Sequence, residues 1–85
     1  MDALALGEAL AIADAAAGVR EAASALRARF QPMRVVVVDA LDMRDEAPAA
    51  SGVHHMLWLG ASDGHCWTVT ADPARTAGLF IAARD

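Results

Sequence analysis

The sequence predicts an α+β domain: an N-terminal helix packed on a four-stranded, mainly antiparallel sheet. Three observations carry that reading. Residues 3–31 are dominated by Ala, Leu, Glu and Arg, with no proline before Pro32, and these are strong helix formers. Residues 33–39, Met-Arg-Val-Val-Val-Val-Asp, are a β-branched run suited to a pleated strand. The dipeptide Asp63-Gly64 separates two apolar segments, which is the pattern of a tight hairpin. With 85 residues, the chain reads as one domain, 1–85, near the small end of what folds without covalent staples.

In the helical region, Ile12, Ala16, Val19, Ala23, Leu26 and Phe30 recur at steps of three and four, which places them on one face. Leu6 and Leu10 point to nearly the opposite side. A continuous helix would extend ~40 Å at ~1.5 Å per residue, against ~20 Å for the strands that follow. Gly18 offers a break into two shorter helices. Without a break, Leu6 and Leu10 would project beyond the sheet, and they are the candidates for an oligomer interface.

Strands are expected at about 33–39, 53–60, 65–70 and 79–84, in the order 1-2-3-4. The first lacks alternation, as expected for a strand covered on both faces. Residues 41–52 form a polar loop with Pro48 and Gly52 near its end. It is long for so small a domain, so it reads as a mobile connector or as a lid over a site. Asp72-Pro73 supplies a cap and first-turn pair for one short helical turn. The last segment, Leu-Phe-Ile-Ala-Ala-Arg at 79–84, is again apolar on both sides.

The hairpin register fixes expectations for the single cysteine. With Asp63 and Gly64 as the turn residues, Gly60 faces Trp67 and Ala61 faces Cys66. Alternation then puts Trp58, Gly60, Trp67 and Val69 on one face, with room for an indole to lie across Gly60. Cys66 falls on the other face with Leu57, Leu59 and Thr68, as a small, partly buried thiol. It is the candidate for a reactive thiol, but His65 points away from it, which argues against a Cys–His dyad.

Composition excludes several classes. The net charge is −4 and all seven basic residues are Arg, spread from Arg20 to Arg84 without the basic stripe that nucleic acid requires. Asp2, Glu8 and Asp14 interrupt the apolar opening, so it reads neither as a signal peptide nor as a membrane span. One cysteine rules out an internal disulfide and suits a reducing compartment. The expected location is the cytoplasm. The absence of Lys, Asn and Tyr beside abundant Ala reads as the coding bias of a high-GC bacterium.

No catalytic constellation emerges. His54-His55 and His65-Cys66 lie at opposite ends of one strand, ~30 Å apart at ~3.4 Å per residue, so no metal site is expected within one chain. The acids Asp39, Asp42, Asp45 and Glu46 do not have calcium-loop spacing. No phosphate-binding glycine motif is present, and no cofactor is expected. Arg44, His54 and His55 are the candidates for a ligand site beneath the 41–52 loop.

The segments Asp63-Gly64-His65-Cys66, Thr70-Ala71-Asp72-Pro73 and Ala77-Gly78-Leu79 resemble a group of short, uncharacterised bacterial proteins associated with nitrogen-fixation gene neighbourhoods. The resemblance covers roughly the C-terminal third to half of the chain. It implies no known activity and carries over no functional residue.

A single helical layer covers only one face of a sheet. The sequence therefore predicts that the other face is covered by association, as a homodimer or with another protein. The expected role is that of a small non-catalytic accessory or interaction protein, with neither nucleic acid nor membrane as partner. The alternative is a small-molecule-binding protein or minor enzyme with its site under the 41–52 loop.

Overall fold

The N-terminal helical region breaks beside its glycine. In the computed structural model, which describes residues 1–84, α1 spans Ala3–Ala15 and α2 spans Val19–Arg29. Asp2 caps α1, its side chain accepting from the Ala5 amide at 2.8 Å, which satisfies one of the free N–H groups of the first turn. Gly18 is the extended N-cap of α2, so it opens the second helix rather than closing the first. The two helices fold back on each other, and Arg29 grips Glu8 with two hydrogen bonds of 2.6 and 3.0 Å. Leu6 and Leu10 are half-buried against the core.

The strands are β1 (Arg34–Val37), β2 (Ala50–Ser51), β3 (His55–Ser62), β4 (Trp67–Thr70) and β5 (Gly78–Ala83), with a 3₁₀ turn at Pro73–Arg75. The expected α+β class holds, but the sheet has five strands and is mixed. Its path is β1-β5-β3-β2, and β4 shares the outer edge of β3 with β2. β1 and β5 run parallel, from Arg34 beside Gly78 to Val37 beside Ile81. The last strand has thus inserted between the two expected to be neighbours. Its residues Leu79, Ile81 and Ala82 are buried, and only an interior position covers a strand that is apolar on both sides. β1 is left at the edge, where Val36 and Val37 are 42% and 40% exposed.

This order explains the long loop. β1 and β2 are the two ends of the strand path, so the chain between them crosses the whole sheet, ~14 Å at ~4.8 Å per strand. Far from being a loose connector, it is turned by hydrogen bonds from Asp42 to Asp39 and from Glu46 to Met43.

The helices cover one face. Ala9, Ala13, Ala22, Ala23 and Leu26 meet Val35, Leu57, Leu59, Leu79 and Ile81 there. Alanines at the contact let the helix axes approach the sheet closely, and the leucines and isoleucine fill the space between. Each fully buried Leu or Ile contributes ~2 kcal/mol.

The loop covers part of the other face. Trp58 is buried and donates its Nε1–H to the Glu46 carbonyl at 2.9 Å. Ala82, its neighbour on that face through the Met56 pairing, is buried as well. The chain therefore shields by itself some of the surface that the sequence assigned to a partner.

Candidate functional site

The second face is built on two glycines. Gly60 and Gly78 pair directly across β3 and β5. An added Cβ would lie 3.2 Å from the Trp67 ring at Gly60 and 3.0 Å at Gly78. The indole thus lies flat over both strands on a floor without side chains. Phe80 meets it edge-on, with ring centroids 6.3 Å apart, an attractive aromatic geometry. Val36 occupies the position beside Phe80 on β1. Trp67 remains 36% exposed, so Val36, Phe80 and Trp67 form a partly open apolar strip.

The hairpin register differs by two residues from the expected one, with Gly60 opposite Val69 and Ser62 opposite Trp67. A two-residue shift keeps every side chain on its predicted face, so the indole still reaches Gly60. The cause is Asp63. A two-residue type I′ turn needs φ > 0 at both central positions, and only Gly64, at 97°, adopts it. Asp63 instead turns its carboxylate inward to accept from the His65 and Cys66 amides, both at 2.8 Å. Those two bonds hold its carboxyl below the usual range. The resulting four-residue loop, 63–66, takes Cys66 out of the strand. It is exposed, not partly buried among leucines.

His54 and His55 start β3 and its approach, beside the helix break. His55 is buried on the helix side, with Nδ1 3.4 Å from Asp14 Oδ1. Asp14 is the polar centre here and the sequence reading missed it. It sits in the last turn of α1, where a negative charge opposes the helix dipole. It is held by the Val53 and His54 amides at 2.8 and 3.2 Å. Partial desolvation pushes its carboxyl up, but those two amides and His55 together outweigh it and leave the carboxyl below its usual range. Any side chain at Gly52 would collide with this carboxylate. An acid just before a helix break was the one signal in the sequence that pointed to it.

Arg44 is not part of that group. It is exposed in the loop that crosses the Trp58 face, whereas His55 lies on the helix face with Leu57 and Leu59. The concavity that holds His54 and His55, about 250 Å³, is lined by Asp14, Gly18, Val19 and Ala83 rather than by Arg44. The crossing loop carries Arg44 over the face opposite His55, so candidates near one another in the linear sequence end on different faces.

A larger concavity, about 590 Å³, opens beneath residues 46–49 at the outer edge of β3. The start of α1 and the end of β4 wall it, and Leu6, Pro48, Leu59 and Val69 give it a mainly apolar lining. Among the described residues, no three His, Cys, Asp or Glu side chains converge as a metal-binding group. No described helix is long and apolar enough to cross a membrane.

No family model, curated protein or solved structure matches the chain.

Proposed function

We propose that this protein is a small non-catalytic interaction protein that works as a homo-oligomer. The observation behind the reading is the strip formed by Val36, Phe80 and Trp67 on the second sheet face. A tryptophan spread flat over two glycines offers a rigid aromatic surface at little entropic cost, the kind of group that anchors interfaces. A two-fold axis through the strip would set each indole against its counterpart, an isologous contact that closes at a dimer. Because the 39–49 segment already shields Trp58 and Ala82, the association rests on fewer residues than the sequence implied. Trp67→Glu should convert a dimer to a monomer in sedimentation velocity at high micromolar concentration. A wild-type chain that sediments as a monomer there would end the proposal.

A second reading is favoured by the concavity beneath residues 46–49, whose volume falls in the range of small-molecule sites. It corresponds to a ligand held under the loop, with Leu6 and Leu59 as contacts in place of Arg44, His54 and His55. In this reading an apolar small molecule raises the melting temperature of the wild type, and Leu6→Trp, which fills the space, removes the shift. A shift unchanged in that variant would remove the reading.

A further inference from the structure

The open edge of β1 is the least explained backbone in the molecule. The Val38 amide donates to Ile81 O at 2.9 Å, so residues 34, 36 and 38 turn their polar groups toward β5. By alternation, Val35 and Val37 turn theirs outward. Such an edge is a template for another strand, and proteins commonly blunt it with charge. Here the blunting is specific. Arg27, from α2, places Nε and one terminal nitrogen on the Val35 carbonyl at 3.1 and 2.8 Å. The guanidinium occupies the position that the amide of an added strand would take.

The surroundings of this edge are basic. Two concavities of about 500 and 420 Å³ adjoin it and share Arg27, Val35 and Val36. Arg20 lines the first and Arg34 the second. Among the described residues the ion pairs are Arg29–Glu8 and His55–Asp14, so Arg20, Arg27 and Arg34 have no carboxylate within ion-pairing distance. In a chain of net charge −4, three such arginines beside one strand are a local reversal of sign.

We propose that β1 accepts an acidic peptide segment as an added strand, with Arg27 as the selector. An incoming amide displaces Arg27 from the Val35 carbonyl. A carboxylate on the segment then takes up the freed guanidinium, with Arg20 beside it on the same side. A neutral segment would form the backbone bonds but leave Arg27 without its acceptor, so selection for acid follows from the displacement itself. Alternation dictates the pattern of the segment. Acidic residues fall on the side facing α2 and apolar ones on the side of Val36. The reading rests on the β1 edge and Arg27 and needs no self-association through Trp67, although Val36 belongs to both surfaces.

The test uses the capped hexapeptide Glu-Val-Glu-Thr-Glu-Val with amide-resolved NMR and hydrogen exchange on the whole chain. The expected result is a shift of the Val35 and Val37 amides with at least tenfold greater protection. The Gln-for-Glu peptide should bind at least tenfold more weakly, and Arg27→Ala should bring the two peptides within about twofold of each other. If that variant does not fold, Arg20→Gln should weaken the acidic peptide alone. Unmoved Val35 and Val37 amides at millimolar peptide would overturn the proposal. So would equal binding of a ten-residue oligothymidylate, which would mark a general anion surface. Protection that rises with protein concentration without peptide would make a second copy the occupant and overturn it as well.

Discussion

The two faces of the sheet are closed by different means. On the helix side, five alanine and leucine positions of α1 and α2 meet five aliphatic strand residues, and all are buried. On the other side, a loop without helix or strand of its own covers Trp58 through a backbone acceptor and leaves Trp67 and Val36 partly open. Regular elements bury side chains on side chains. A crossing loop brings mostly backbone and small or charged residues, so it shields a narrow band and leaves the remainder for contact. The difference teaches how burial is divided in so small a chain: the first face holds the core, and the second, with the β1 edge, stays partly open.

Core truncation gives the largest contrast. Leu26→Ala on the helix face should cost about 3 kcal/mol in urea unfolding, lowering the melting temperature by roughly 15 °C. Trp67→Ala, on the open strip of the monomeric chain, should cost about half as much or less, because its ring is already part-solvated. Equal losses would break the distinction between the faces.

The clamp at the helix break comes next. Asp14→Ala removes three hydrogen bonds and should cost about 2 kcal/mol near neutral pH. Because the Asp14 carboxyl is held below its usual value in the folded chain, its contribution is complete above about pH 5. It is lost as pH falls through about 4 and below. Wild type and variant should therefore converge in stability on acidification, and a constant gap down to pH 2.5 would show that the carboxylate charge is not the cause.

Trp58→Phe should cost about 1–2 kcal/mol by freeing the Glu46 carbonyl and leaving a small void. Exchange of the amides at 42, 43 and 46 should rise more than that of the helix-face strands. Uniform acceleration would mean that the loop is held by something other than the indole. The smallest effect is at Cys66. Its thiol should react fully with a disulfide reagent in the native protein, without denaturant, and the mixed-disulfide chain should keep its melting temperature within about 1 °C. A protected thiol would place the 63–66 loop differently.

Much of the local structure was legible because its signals act within a few residues. Asp72 caps the turn that follows it, as its position beside Pro73 indicates. The faces of Trp58, Gly60 and Trp67 follow from alternation alone, whereas Gly18 marked only where the helix could break. The candidate site was legible only in part. His54 and His55 were singled out, but Asp14, 39 residues before Val53, meets them only after the chain has folded back. Arg44 looked close to them in sequence and lies with the loop across the opposite face.

The chain's own chemistry thus determined which segments form the helices and the four longer strands, and which side of each is apolar, but not the short β2 within the expected 41–52 loop. Strand order was decided by the tertiary structure, because it depends on comparing whole arrangements: β5, apolar on both sides, is covered best between β1 and β3. Once that choice is made, the 38–49 segment has to span the sheet, Trp58 is covered, and β1 is left at the edge beneath Arg27. Local preferences cannot encode such an outcome, since it arises from burial shared among segments more than forty residues apart.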